Sequence, residues 1–370
     1  MHRVVFRFMA LIATLALGSS LLAASLDFDA RRGADFFKTQ MCVNCHGVKG
    51  AAEGKAPDLG RRLDRNYTPA GVAATMWSHA PVMWGNMAQQ NIPVPQITTA
   101  QSADLFAYFY ASRYFEKPGE AERGKQIFQS KHCNECHALT GVNGIGPAVE
   151  HWGSLAAPIL LIQQMWNHQK QMRGAMAEHN IPWPRLTSQE LTDLLVYVQN
   201  LPQTRNQEHF ILLPPAEQGE PVFRAKGCTD CHKGEMALET KLGDATLTDV
   251  AAAMWNHAPQ MRQPPPELSI DEWRKLISYV WAKQFFTTRG DPGRGRKTFQ
   301  SKKCAVCHDS RASGAPVLSK PAEPYSSITM VSVLWRHGPV MLRMMEQKHI
   351  AWPQLTQPEM ANLIAYLNSR

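Results

Sequence analysis

Every cysteine in this chain belongs to one motif, Cys-x-x-Cys-His, and the motif occurs four times. The copies are Cys42-Val43-Asn44-Cys45-His46, Cys133-Asn134-Glu135-Cys136-His137, Cys228-Thr229-Asp230-Cys231-His232 and Cys304-Ala305-Val306-Cys307-His308. Two thiols two residues apart, with an imidazole directly after the second, have the spacing of c-type haem attachment. The thiols add across the two vinyl groups of one porphyrin, and the histidine is carried beneath the ring to bind iron. Two intervening residues let both thiols reach from a single helical turn. A zinc site would need a second Cys or His pair at a fixed distance from each motif, and none has one. A dithiol enzyme has no use for a histidine after the second cysteine, four times over. Four covalently attached haem c groups would consume all 8 thiols and leave none for a disulfide.

The first residues read as a secretory signal, residues 1–25. Arg3 and Arg7 make a basic start, Phe8 to Leu22 is apolar, and the small residues Ala23, Ala24 and Ser25 follow. The apolar run is short for a membrane span, so cleavage near Ser25 is expected; an uncleaved anchor, giving membrane association, is the alternative. Export suits the four motifs, because covalent haem attachment takes place on the far side of the energy-coupling membrane. In a bacterium that is the periplasm. The formal charge of +8 is no nucleic-acid signal. The basic residues are scattered rather than clustered. Cleavage removes two arginines and each haem brings two propionates, so the loaded chain is close to neutral.

The flanks repeat as faithfully as the motifs. A glycine lies nine residues before each first cysteine (Gly33, Gly124, Gly219, Gly295), and a phenylalanine lies five before it (Phe37, Phe128, Phe223, Phe299). Gly and Phe four apart share one helical face, where the ring can be buried while the glycine admits a crossing helix. The crossing partner closes each repeat: Leu105-x-x-Tyr108, Leu194-x-x-Tyr197, Leu276-x-x-Tyr279 and Leu363-x-x-Tyr366. Each of these stretches opens with a capping box, Thr98-x-x-Gln101, Thr187-x-x-Glu190, Ser269-x-x-Glu272 and Thr356-x-x-Glu359. Between motif and final helix lies Trp-x-His-x-x-x-Met: Trp77, His79, Met83; Trp166, His168, Met172; Trp255, His257, Met261; Trp335, His337, Met341. The third repeat is seven residues shorter after this element and lacks the second methionine that the others carry (Met87, Met176, Met345).

Together these elements resemble class I cytochrome c, over nearly the whole mature chain and four times. The resemblance implies an all-α chain of four tandem cytochrome c-like haem-binding domains after the signal sequence. Their expected limits are 28–116, 119–204, 216–287 (shortened) and 293–370, joined by short linkers containing Pro118, Pro214-Pro215 and Pro292. In that family a proline after the motif offers its carbonyl to the proximal histidine and fixes the imidazole. The matching residues are Pro57, Pro147 and Pro316; the third repeat has none, so its proximal support and ligation are the ones in question. A domain this small has little core of its own, and a covalently held porphyrin supplies buried surface.

The proximal ligands are then His46, His137, His232 and His308. The expected distal ligands are Met83, Met172, Met261 and Met341, which recur at one spacing in all four repeats; a thioether raises the potential. The second methionine and the histidine of Trp-x-His compete for the same position, being one helical turn away. The expected function is a periplasmic electron carrier, with no catalytic residue, relaying single electrons between redox proteins: a dehydrogenase on one side and other cytochromes, an oxidase or a reductase on the other. Two further readings stay open. One is the cytochrome subunit of a dehydrogenase complex; the other is a haem enzyme with an open iron position in the third domain.

Overall fold

The structure is a computed structural model, described over residues 28–48, 56–59, 68–112, 118–142, 144–153, 155–205, 213–242, 245–261, 266–283, 290–310, 313–319 and 324–370. The expected signal sequence lies outside the described residues, as does most of each linker. Among the described residues the fold is all-α, with a single isolated bridge between His46 and Ala56.

Four units follow one another. The first contains α1 (Ala30–Thr39), α2 (Pro69–Gln89) and α3 (Thr99–Ala111). The second contains α4 (Ala121–Ser130), the one-turn α5 (Cys133–Cys136), α6 (Pro158–Asn167), α7 (Gln169–Glu178) and α8 (Ser188–Gln199). The third contains α9 (Gly219–Ala225), the one-turn α10 (Leu238–Lys241), α11 (Leu247–His257) and α12 (Ile270–Lys283). The fourth contains α13 (Pro292–Ser301), the one-turn α14 (Ala305–His308), α15 (Ser327–Gln347) and α16 (Gln357–Ser369).

In each unit the first and last helices cross: α1 on α3, α4 on α8, α9 on α12 and α13 on α16. The repeated glycine makes the crossing possible. A Cβ on Gly33, Gly124, Gly219 or Gly295 would lie 2.0, 2.0, 2.0 or 1.9 Å from a backbone carbonyl oxygen of the partner helix. Beside it the Phe packs on the Tyr of Leu-x-x-Tyr, with centroids 5.5 Å apart for Phe37–Tyr108, 5.8 Å for Phe128–Tyr197, 5.5 Å for Phe223–Tyr279 and 5.4 Å for Phe299–Tyr366. Burying each ring contributes about 1.5–3 kcal/mol. The four capping boxes form as read, including Ser269 with Glu272, whose backbone N–H and side chain exchange bonds of 3.2 and 2.9 Å.

A carboxylate or amide one residue before that Leu ties the same crossing together. Asp104 accepts the backbone N–H of Asp29 at 2.6 Å, Asp193 that of Glu120 at 2.8 Å, and Asn362 that of Asp291 at 2.8 Å. Arg32 and Arg123 also donate to Asp104 and Asp193, each at 2.9 Å. The third unit has Lys275 at this position, where it pairs with Asp271 of its own helix.

The units pack in a nested order, the first with the fourth and the second with the third. Helix α2 lies on α15 and α16, while α6 and α8 lie on α11. Between units 2 and 3 the bonds are reciprocal. Trp166 Nε1 donates to the Pro266 carbonyl at 2.9 Å and Trp255 Nε1 to that of Pro184 at 2.7 Å. Asn167 exchanges two bonds with the backbone of Leu268, and Asn256 does the same with Leu186. Between units 1 and 4, Trp77 Nε1 donates to the Pro353 carbonyl at 3.1 Å, and Trp352 Nε1 to the Trp77 carbonyl at 2.9 Å. Pro81, four residues on, has no N–H to give that carbonyl, so the indole takes the helix's missing bond. These tryptophans are the fastenings between units, with Trp183 stacked on Trp255 at 4.2 Å and Trp77 on Trp352 at 5.4 Å.

Candidate haem sites

Each Cys-x-x-Cys-His forms the same tight turn at the end of the first helix. The residue before the first cysteine is left-handed every time: Met41 at φ 60°, His132 at 62°, Gly227 at 74° and Lys303 at 61°. Three of the four are not glycine, so the turn holds a conformation that costs a side chain energy. The backbone N–H of His46, His137, His232 and His308 then bonds to the carbonyl of Cys42, Cys133, Cys228 and Cys304, at 2.9 Å in all four. One turn of helix thus carries both thiols and the imidazole on the same side.

Burial pushes the first thiol of each pair up, to about 11 for Cys42, Cys133 and Cys304, and raises Cys228 as well. A zinc-binding or redox-active dithiol needs the opposite, a thiol that ionises readily. A thioether carries no charge, so burial costs it nothing of this kind. No cysteine forms a disulfide, and among the described residues no cluster of three or more His, Cys, Asp or Glu could hold a metal by itself. The donor set fits a porphyrin-borne iron.

The motif histidines are each oriented by a backbone carbonyl. Nδ1 of His46 meets the Pro57 carbonyl at 3.2 Å, His137 that of Pro147 at 2.9 Å, and His308 that of Pro316 at 2.9 Å. In the third unit, where proline is missing, the Met236 carbonyl takes the place at 3.3 Å from His232 Nδ1. The shortened repeat therefore keeps the same bond to its motif histidine, supplied by a carbonyl other than proline's. Such a bond to Nδ1–H leaves Nε2 as the nitrogen able to bind a metal. Around His137 the fit is closest: a Cβ on Gly146 would lie 2.5 Å from Cε1 of the ring. Trp152 packs edge-on to that ring at 5.3 Å and donates to the same Pro147 carbonyl.

Met83, Met172, Met261 and Met341 are half-buried against the core. Of the competing histidines, His168 and His257 are half-buried, while His79 and His337 are exposed. Nδ1 of His79 meets the Thr75 carbonyl one turn back at 3.0 Å, and His168 makes the same bond to Gln164. Burial lowers the pKa of His168, against that backbone bond, and His137 nearby lowers it further.

Comparison with protein families agrees with this geometry. A family model described as cytochrome c matches residues 30–110 and 293–370, and one described as cytochrome c oxidase, cbb3-type, subunit III, matches residues 119–198. The chain is a multidomain c-type cytochrome. No curated protein and no solved structure matches it. These two matches do not extend to residues 199–292, which include the shortened third unit. The cytochrome is a haem-based electron-transfer protein, and haem c is its implied cofactor. No helix among the described residues is long and apolar enough to cross a membrane.

Proposed function

We propose that this cytochrome is an exported, periplasmic carrier that relays single electrons through four covalently bound haem c groups. The observation that carries the reading is the fourfold recurrence of one turn, in which each histidine N–H bonds to the first cysteine's carbonyl at 2.9 Å and each Nδ1 is met from behind by a carbonyl. Bound haem supplies the one-electron chemistry; the chain supplies attachment, orientation and spacing. Cys42, Cys45, Cys133, Cys136, Cys228, Cys231, Cys304 and Cys307 would form the thioethers, in domains limited as the repeats indicate. His46, His137, His232 and His308 would bind iron from the proximal side, and Met83 and Met341 from the distal side in the outer units. Donors and acceptors would be other redox proteins.

Potentiometric titration of the purified holoprotein tests this. Four one-electron equivalents per chain, with no turnover of small substrates, is the expected result; fewer equivalents would contradict the relay. A second reading, the cytochrome subunit of a larger oxidoreductase, draws support from the oxidase-subunit family matched at residues 119–198. Copurification with a partner from native membranes at moderate salt would favour it, and recovery of the free chain would favour the independent carrier.

A further inference from the structure

The two inner units share an arrangement on the distal side. In unit 2 the rings of His137 and His168 stand edge-on with centroids 6.3 Å apart and planes at 72°. In unit 3 the rings of His232 and His257 stand 6.4 Å apart at 61°. A metal held between two imidazoles, at about 2.0 Å to each nitrogen, sets their ring centres about 6.3 Å apart. Aromatic rings in plain contact span the same range, so distance alone does not decide.

Three further observations do. The outward nitrogens of the unit 2 pair are both engaged, His137 Nδ1 by Pro147 and His168 Nδ1 by Gln164, which leaves Nε2 of each ring as the nitrogen able to bind metal. The helix also ends at each of these distal histidines. His168 separates α6 from α7 with φ −111° and ψ 14°, and His257 is the last residue of α11. By contrast, His79 and His337 lie within the unbroken helices α2 and α15, with exposed side chains. Finally, the residues just before each inner histidine are pinned across the 2–3 interface: Trp166 and Asn167 on Pro266 and Leu268, Trp255 and Asn256 on Pro184 and Leu186. The docking of the two units fixes where both imidazoles stand.

We propose that His168 and His257, rather than Met172 and Met261, take the sixth position on the iron in units 2 and 3. The inner pair of domains is then a bis-histidine module of lower potential, since it forgoes the methionine that raises it. This rests on the reading that each motif carries a haem. A side chain waiting opposite His232 also disfavours an open iron position in the third unit.

The test is near-infrared magnetic circular dichroism of the fully oxidised, full-length holoprotein, with haem counted on the same sample. Wild type should show two haems with the bis-histidine charge-transfer band. His168→Ala and His257→Ala should each lose one of them, while Met172→Ala and Met261→Ala leave both. His168→Met, which keeps a ligand in place, should convert one band to the His/Met type and shift that haem's potential upward. A wild type with four haems and no bis-histidine band overturns the assignment, as does a band that responds to Met172→Ala and not to His168→Ala. A haem count below four overturns the tetrahaem reading instead. The ligand assignment is then decided by the band of whichever haem remains on Cys133/Cys136 or Cys228/Cys231.

Discussion

Gly124 shows how a single atom governs a unit. Its Cα meets α8 so closely that an added Cβ would fall 2.0 Å from the Asp193 oxygen and 2.6 Å from the Tyr197 Cβ, both parts of a rigid helix. Gly124→Ala must push α4 off α8, and overpacking of this kind costs about 1–3 kcal/mol. Thermal unfolding of the holoprotein should report that loss in unit 2; an unchanged midpoint would contradict the crossing. Asp193 secures the same contact by charge. Burial pushes its carboxyl up, but hydrogen bonds from Arg123, the Glu120 N–H and Gln189 outweigh it and hold it below the ordinary value of 3.8. The stability it contributes is therefore present at neutral pH and is lost as the pH falls from that value through the lower folded one. Asp193→Asn should cost about 1–2 kcal/mol at pH 7, because half-exposed Arg123 is screened, and should flatten the acid limb of the stability profile. The glycine was legible in the sequence because it recurs at a fixed distance from the cysteines. The position one residue before that Leu was nearly as regular, Asp104 and Asp193 in two repeats and Asn362 in a third, and was missed because its partner is a backbone N–H at the start of a distant helix.

Helices were the most readable level. The Gly/Phe helix, the capping box and the Leu-x-x-Tyr helix each obey a local rule, and four repeats in register confirm one another. The distal helix was less readable. Its Trp-x-His-x-x-x-Met pattern is the same in every unit, yet it runs as one 21-residue helix in α2 and α15 and breaks at the histidine in units 2 and 3. Proline does not predict the break, since Pro81 and Pro339 lie inside the continuous helices. Packing between units accounts for the tryptophans. Trp255→Phe keeps the buried ring but removes the N–H that Pro184 accepts at 2.7 Å. It should destabilise the 2–3 pair by about 1–2 kcal/mol in chemical denaturation while leaving all four haems attached. No change in stability would mean that this fastening carries no load.

At the scale of the molecule, sequence order and spatial order differ. Short linkers suggest a chain of neighbours, one to two to three to four, whereas the interfaces join one with four and two with three. The first unit also reaches the third, through Phe28 and Tyr110 against Trp281 at 5.7 and 5.1 Å. Pairing of this kind brings together the distal helices of repeats far apart in the sequence, so the nearest redox partner of a site need not be the next along the chain. The pairing leaves one trace in the repeats, the residue between Trp and His: Asn167 and Asn256 make the reciprocal bonds of the inner pair, where the outer units carry Ser78 and Arg336. What distinguishes the two pairs is their completeness. Trp166 and Trp255 each bond to the other's unit, while Trp335 Nε1 is buried without the counterpart bond.

The central claim, that each Cys-x-x-Cys-His is an attachment site, is tested most directly by intact mass spectrometry of the denatured, exported chain. The account predicts the mass of the polypeptide plus four haems, falling by one haem in each of four variants that replace a motif's two cysteines with alanine. A wild-type mass below four haems, or a variant that loses none, would contradict it.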